Sequence, residues 1–353
     1  MISDRGLAGW LGSRGFPGFS RFSRGGLGFS AAVIRRVRGG FSTGSRAFPG
    51  FSGADDEGVL IGLETSQWLV EALILRRVMF RSIRRLYELA RADPVDPELR
   101  GWSWDRLPLK PRAYLNLGVS EIASKYCETR RDIWLRRKTG ARAEPTEPIL
   151  TGRLIHDAIS LALKETAKLL INNTEPYTAY QILSEKWRKL NPPKGYEKTV
   201  EKTYKATLIT ILGEAMYEKL VNETPQPVAY SEYRVDGTPL GMSQNLSVDV
   251  ISDSVIIDFK TGAPRDFHKL SITGYALALE AAYETPRDYG LLIYINNPED
   301  PRITYKPVYI SNTLRRLFIE ERDNIIDMLL EDAEPPKDLN CQPTCPLHGA
   351  CNK

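Results

Sequence analysis

The chain is short of the residues that carry most chemistry. Among 353 residues there are only three histidines, His156, His268 and His348, and four cysteines. No run of 18 apolar residues occurs, so no transmembrane helix is expected. No secretory signal peptide is visible either, and a cytoplasmic location is expected. No G-x-x-x-x-G-K-[ST] motif occurs, which leaves any ATPase to a separate chain. No repeat of solenoid length is visible. Acids are nearly missing from residues 1–53, which carry eight Arg against one Asp, a net of +7. Residues 54–78 carry five acids and two Arg, a net of −3. The first 78 residues therefore hold the whole formal charge of +4, and residues 79–353 sum to zero. Overall basicity is no argument for a nucleic-acid partner; only local patches are.

What is present divides at Met79. Residues 1–53 are rich in Gly, Ser, Phe and Arg, and repeat Gly15-Phe-Pro-Gly-Phe-Ser20 as Ala47-Phe-Pro-Gly-Phe-Ser52. Such composition cannot build a packed core. Residues 1–78 are expected to be a low-complexity, disordered leader or an over-extended translation, with the natural start at Met79. Residues 79–353 are expected to hold the working domain. A basic helix is expected over 79–92, then an extended arm over 101–118, marked by Trp102, Trp104, Pro108 and Pro111. Ser120 caps a helix of about 121–138, and a linker follows to Pro148. Helices are expected from Thr151 to about Asn172, over 178–190 and over 196–221. The period then changes to strands at 228–235, 246–251 and 255–259, with a tight turn at Ser252-Asp253-Ser254 in which Asp253 serves turn chemistry. A helix at 266–283, strands at 291–295 and 304–310, and a last helix at 312–331 complete the pattern. This order predicts an α/β fold: a mixed sheet flanked by helices, with a helical region in front.

Two acids stand in apolar strands. Asp249 lies between Val248 and Val250, and Asp258 follows Val255-Ile256-Ile257 and precedes Phe259-Lys260. Ionised carboxylates in such strands are costly unless something binds them. Hard divalent ions take oxygen ligands, so Asp249, Asp258 and the Phe259 carbonyl form a candidate Mg²⁺ or Mn²⁺ site. Lys260 shares a strand face with Asp258, where it is placed to orient or help deprotonate a water and offset phosphate charge. His156, four residues after Gly152 on a helix, is a candidate third ligand. The plainer alternatives are a hairpin whose acids face solvent and a helix-surface or core histidine. Glu232, on the preceding strand, is a further candidate for the same site. Lys269, Ser271 and Tyr275 open the next helix and are placed to contact a phosphate, unless Tyr275 simply packs at a helix–sheet junction. Together these residues predict metal-dependent phosphodiester hydrolysis.

Cys341, Cys345 and Cys351 form C-x3-C-x5-C in a tail containing Pro343, Pro346 and Gly349, and Cys127 lies far upstream on the 121–138 helix. Four thiolates suit an iron–sulfur cluster or zinc, the latter with His348 as a possible ligand. Two disulfides are the alternative. A bound cluster would pin the tail to the N-terminal helical region. Arg130, Arg131, Arg136, Arg137 and Lys138 surround Cys127 in sequence, and Lys186, Arg188, Lys189, Lys194 and Lys198 form a second basic group. Either is a solvated face or a DNA contact.

Gly152-x-x-x-His156, Asp249, Asp258-Phe-Lys260 and Tyr275 resemble the motifs of RecB-type nucleases in the PD-(D/E)xK superfamily, whose fold is restriction-endonuclease-like. Cys127 before Glu-Thr-Arg-Arg-Asp-Ile, with three late cysteines, resembles the CRISPR-associated iron–sulfur RecB-like exonucleases. Leu99-Arg-Gly-Trp-Ser-Trp104 and Leu109-Lys-Pro-Arg-Ala-Tyr114 resemble the archaeal subtype I-A branch. The likeness runs from about Met79 to Lys353. It implies a DNA exonuclease with a catalytic metal at His156, Asp249 and Asp258, with Lys260 and Tyr275 catalytic. It also implies an iron–sulfur cluster on Cys127, Cys341, Cys345 and Cys351, expected as 4Fe–4S; from their own placement, Arg130, Arg131 and Lys269 are the expected DNA contacts. The implied role is in spacer acquisition beside the CRISPR integrase; trimming of single-stranded or overhanging ends, other adaptation proteins as partners and an oligomer are expected. The chain departs from the pattern at Ser271, where such proteins usually have Gln.

Overall fold

The apolar alternation of residues 230–309 closes into five strands that hydrogen-bond in chain order. They are β1 (Tyr230–Val235), β2 (Leu246–Ser252), β3 (Val255–Thr261), β4 (Tyr289–Asn296) and β5 (Arg302–Tyr309). The computed structural model describes residues 74–222, 229–252, 254–296, 302–339, 341 and 345–352. Residues 1–73 of the leader expected over 1–78, the strand start at Val228 and the turn residue Asp253 lie outside them, while residues 74–78 of that leader open the helix Ile74–Ala92. Neighbouring strands run antiparallel except β3 and β4, which are parallel and register Asp258 with Leu292 and Lys260 with Tyr294. A parallel pair needs a crossover, here the helix His268–Tyr283. The expected mixed sheet flanked by helices is therefore the fold.

Nine α-helices are used below: α1 (Ile74–Ala92), α2 (Val119–Ala123), α3 (Arg131–Trp134), α4 (Glu147–Ile171), α5 (Pro176–Leu183), α6 (Glu197–Asn222), α7 (His268–Tyr283), α8 (Asn312–Glu331) and α9 (His348–Cys351). One sheet face carries α2, α7 and α8, with Leu292, Tyr294, Ile272, Leu279, Phe318 and Ile326 in one apolar cluster. The other face carries α4. Its Ile155, Ile159 and Leu163 pack on Val250, Ile257, Leu291 and Ile293, while Leu154, Ala158 and Ala162 pack on Leu183, Tyr204 and Leu208 of the helical layer. Helical spacing gives α4 two apolar stripes, so it binds sheet and helical layer at once.

Three expectations need correction. The helix expected over 121–138 is broken. Backbone at Arg130 is left-handed, φ 59°, which no continuous α-helix tolerates. Residues 124–130 therefore form a loop between α2 and α3, and Cys127 sits in that loop rather than on a helix. The helix expected over 178–190 ends at Leu183 and continues as a 3₁₀ turn, Lys186–Leu190. The arm expected over 101–118 is not free: it includes a 3₁₀ turn, Gly101–Ser103, and ends in a bridge from Leu117 to Met242.

That arm is locked by buried charge. Glu280, at the end of α7, accepts from Arg315 Nη1 at 2.7 Å, Arg315 Nη2 at 2.9 Å, Arg100 Nη1 at 2.9 Å and the backbone N–H groups of Gly101 at 2.8 Å and Arg287 at 2.9 Å. Arg315 also donates to the carbonyls of Leu99, Ile310 and Arg287. Both charged side chains are fully buried. Gly101 is required because a Cβ there would stand 2.0 Å from the Leu277 carbonyl. Replacing Arg315 with Met should destabilise the protein by about 3–5 kcal/mol, because Glu280 would be left buried without two of its five donors. Denaturant unfolding reads this directly. An unchanged midpoint would show that Arg100 and the backbone donors suffice.

Candidate active site

The acid pair sits where β2 and β3 part company. Their ladder pairs Ser252 with Val255, Ile251 with Ile256 and Val250 with Ile257, and goes no further. Across β1, Ser231 faces Val250 and Tyr233 faces Val248. Val248 nevertheless packs on the α7 face and Val250 on the α4 face. The side-chain alternation slips at Asp249, and Glu232 beside it is left-handed at φ 49°. In an ordinary strand a shift of one residue swaps faces. Here the slip frees Asp249 from the ladder, and its Oδ2 accepts from Phe259 N at 3.1 Å.

Asp249 is thereby brought into hydrogen-bond contact with Asp258. The Asp258 side chain is 4% exposed. Lys260 Nζ donates to its Oδ1 at 3.0 Å and lies 2.8 Å from Oδ2, a contact without hydrogen-bond geometry. Burial, then the charge of Asp258, push the Asp249 carboxyl well above its ordinary value. Burial alone would lower the Lys260 ammonium; the charge and hydrogen bond of Asp258, helped by Asp249, outweigh it and hold it raised. Lys260 is thus a fixed positive charge here rather than a base.

His156 arrives from α4. A Cβ at Gly152 would stand 2.9 Å from Thr261 Oγ1, at the end of β3. Glycine lets the first turns of α4 lie against that strand end, and His156 follows one turn later. Its Nδ1 is 3.4 Å from Asp249 Oδ2, and its ring bonds the Phe259 backbone. Burial, with Lys260 adding to it, lowers its pKa, so the ring is neutral near pH 7, the form that ligates metals. Tyr275 on α7 lies within electrostatic reach of both acids; burial, then Asp258 and Asp249, raise its hydroxyl, which stays protonated. The structure thus places His156, Asp249, Asp258, Phe259, Lys260 and Tyr275 together.

Other candidates go elsewhere. Glu232 pairs with Lys164, two turns along α4 from His156. Lys269 bonds Asp266 at 3.2 Å on the surface, and Ser271 is buried one turn before Tyr275. Arg130, expected on DNA, is buried; it donates to Glu321 at 2.6 Å and to the carbonyls of Ile122 and Ser124. Arg131 donates to the Pro335 carbonyl at 2.6 Å and pairs with Glu334. Both arginines hold the protein to itself. In the second basic group Lys186 pairs with Glu165 and Arg188 with Glu185, while Lys189, Lys194 and Lys198 are exposed.

None of the four cysteines is in a disulfide, and all are half-buried. Burial, then Cys345, Cys351 and Cys127, raise the Cys341 thiol, so the four sulfurs lie within electrostatic reach of one another. Arg131, Lys138 with Asp332 and Glu144 N with the Pro346 carbonyl tie the tail to residues 131–144. No group of three or more His, Cys, Asp or Glu among the described residues stands at closed coordinating spacing. Both donor sets have the chemistry for a metal: four soft thiols for iron–sulfur, and hard oxygens with one imidazole for Mg²⁺ or Mn²⁺.

Sequence reasoning missed His268, in the first turn of α7. Arg265 N donates to its Nδ1, so Nδ1 is an acceptor and the proton sits on Nε2. The Tyr294 hydroxyl then donates to Nδ1 at 3.1 Å, and Nε2 donates to the Tyr126 hydroxyl at 3.2 Å. Burial, then the Lys260 charge, push this histidine down to about 4. A tyrosine placed immediately before the first cysteine was the available signal.

Comparison with known proteins converges on one family. Residues 73–353 match the family model described as CRISPR-associated exonuclease Csa1. A protein of that name from Thermoproteus tenax is 30% identical over 281 residues, covering 77% of this chain and 96% of its own length. One from Saccharolobus solfataricus is 29% identical over 273 residues, covering 73% and 92%.

The acid pair generates a stability prediction. Between the unfolded value of 3.8 and the raised native value of Asp249, the native state binds the extra proton. This group therefore makes the metal-free protein less stable as pH rises through that window. Asp249→Asn keeps an acceptor for Phe259 N and removes the repulsion. In chelator at pH 7 it should leave the protein as stable as the parent or about 1 kcal/mol more so. A clear loss of stability in that melt would show that the carboxylate is structural.

Proposed function

This chain belongs to the CRISPR-associated exonuclease Csa1 family, and we propose from that membership that it is a metal-dependent DNA exonuclease trimming ends for spacer acquisition. One observation carries the reading: two carboxylates in contact, one of them buried, with a lysine bonded across the second. Such a pair is a poor structural element and a good seat for a cation and a phosphate. Asp249, Asp258, neutral His156 and the Phe259 carbonyl would hold Mg²⁺ or Mn²⁺. Bound there, the ion supplies Lewis acidity and a water of lowered pKa. Lys260, kept charged by Asp258, offsets charge gathering on the phosphate. The protonated Tyr275 hydroxyl is a donor at the same place. The substrates we propose are single-stranded or overhanging DNA ends, and the partners are the CRISPR integrase and other adaptation proteins. Exposed Lys189, Lys194 and Lys198 offer a backbone-binding patch. Cys127, Cys341, Cys345 and Cys351 would hold an iron–sulfur cluster, 4Fe–4S in the simplest case. Among the described residues no helix is long and apolar enough to cross a membrane.

Asp258→Ala should lower cleavage roughly 100-fold or more while DNA binding persists, the scale seen when a group stabilising transition-state charge is removed. Chelation should abolish cleavage and Mn²⁺ or Mg²⁺ restore it. Undiminished cleavage by the Asp258 variant would place the chemistry elsewhere. For the sulfur site, anaerobically purified protein should be brown and carry roughly four irons per chain, with Cys345→Ser losing both. Stoichiometric zinc without iron would replace the cluster with a zinc tetrathiolate.

A further inference from the structure

The chain exposes one aromatic ring that is fixed in place beside the proposed active site. Tyr126 is 69% exposed. Exposed tyrosines are ordinarily free to rotate, but this one is held at two points. Its hydroxyl accepts from His268 Nε2 at 3.2 Å, and its ring meets Phe267 edge-to-face, centroids 4.9 Å apart at 82°. The path to the chemistry is short. His268 bonds the Tyr294 hydroxyl, and Tyr294 is the register partner of Lys260 on the parallel strand, so the two side chains share a sheet face. The Tyr126 hydroxyl also bears electrostatically on the Lys260 ammonium. Its backbone is equally determined. Residues 124–130 are clasped by Arg130, which reaches the Ile122 and Ser124 carbonyls and Glu321 of α8. Among the described residues its ring contacts are with Phe267 and His268.

We infer that the open face of Tyr126 is a stacking platform for the terminal base of a single-stranded DNA end, setting that end in register with the acid pair and Lys260. The inference rests on the nuclease reading above and adds a positioning residue to it. Every base has a π-face, so such a ledge grips an end without selecting sequence. A hydroxyl anchored on a neutral histidine keeps the ring oriented while leaving its face free. An end gripped this way presents its first phosphodiester at a fixed distance from the platform, which is what an enzyme working inward from an end requires.

The test uses full-length protein and a short single-stranded oligonucleotide with 2-aminopurine at its terminal position, at either end, in Ca²⁺ to slow cleavage. Stacking on Tyr126 should quench the fluorophore at one end in wild type, and Tyr126→Ala should abolish that quench. Tyr126→Ala should also weaken binding roughly 5- to 150-fold, the span of base–aromatic stacking, with Tyr126→Trp restoring most of it. An oligonucleotide whose terminal nucleotide is abasic should bind wild type and Tyr126→Ala alike. Absence of a quench in wild type, or an equal penalty on normal and abasic ends, overturns the platform. The wild-type measurement decides even if the alanine variant misfolds. Cleavage in Mg²⁺ or Mn²⁺, read in parallel, separates the two levels. Cleavage without a quench overturns Tyr126 alone, whereas a quench without cleavage keeps the platform and removes the nuclease.

Discussion

Two carboxylates pressed together beside a buried strand cost more than a folded protein tolerates without return. Everything around Asp249 and Asp258 works to maintain that contact. The slip in β2 takes Asp249 out of the ladder, and the Phe259 N–H then holds its carboxylate. Lys260 bonds Asp258 from the same strand. Gly152 lets α4 close on Thr261 so that His156 meets Asp249. The framework behind this is the Glu280–Arg315–Arg100 network, which fixes α7 against β4, α8 and the arm. Asp288 pairs with both arginines, so two acids meet two arginines there, and Glu280 accepts from five donors. The acid pair has one lysine for two carboxylates and no such closure. The buried charge of that network is paired; the acid pair at the site is under-compensated, and a cation is the partner we propose for it.

Much of this was legible in the residues, and the failures have physical causes. Strand order and the placement of Asp258 with Lys260 followed from period-two alternation, which local sequence encodes. Asp249 was found for its apolar neighbours, but its departure from the ladder was not, because a one-residue slip leaves no compositional trace. The same slip explains why Glu232 was drawn toward the site in reading and toward Lys164 in fact. The helix expected through Cys127 failed at Arg130, a residue with good helix propensity held left-handed by bonds to Glu321, 191 residues away. A basic run suggested nucleic acid because charge patterning sees sign and spacing, never burial. Arg130 and Arg131 have partners in α8 and the tail, and such long-range pairing is invisible from local sequence.

Those two arginines tie the sulfur site to the acid site. Arg131 binds the tail that carries Cys341, Cys345 and Cys351. Arg130 sets the loop that carries Tyr126 and Cys127 as adjacent residues. Cys127 therefore faces the tail while its neighbour faces His268. Ligation at Cys127 would restrain one side of this loop as the His268 bond restrains the other. In that proposed arrangement the cysteines would need no contact with substrate to affect it, since they would act through where Tyr126 stands.

The state of Lys260 limits what chemistry can be assigned to it. Burial works to strip its proton and Asp258 works to keep it, and Asp258 prevails. A cation among the carboxylates would draw on the same negative charge, weakening the support for the ammonium. An incoming phosphate brings negative charge of its own and restores it. On the proposed reading, Lys260 would keep its proton with both ion and phosphate bound and would act by charge. The proton of the attacking water would then pass to a carboxylate, or to solvent from a water whose pKa the ion has lowered. The neutral His156 fits the ligand role on the same argument, because a ring whose pKa is lowered offers a lone pair without adding a positive charge beside Lys260.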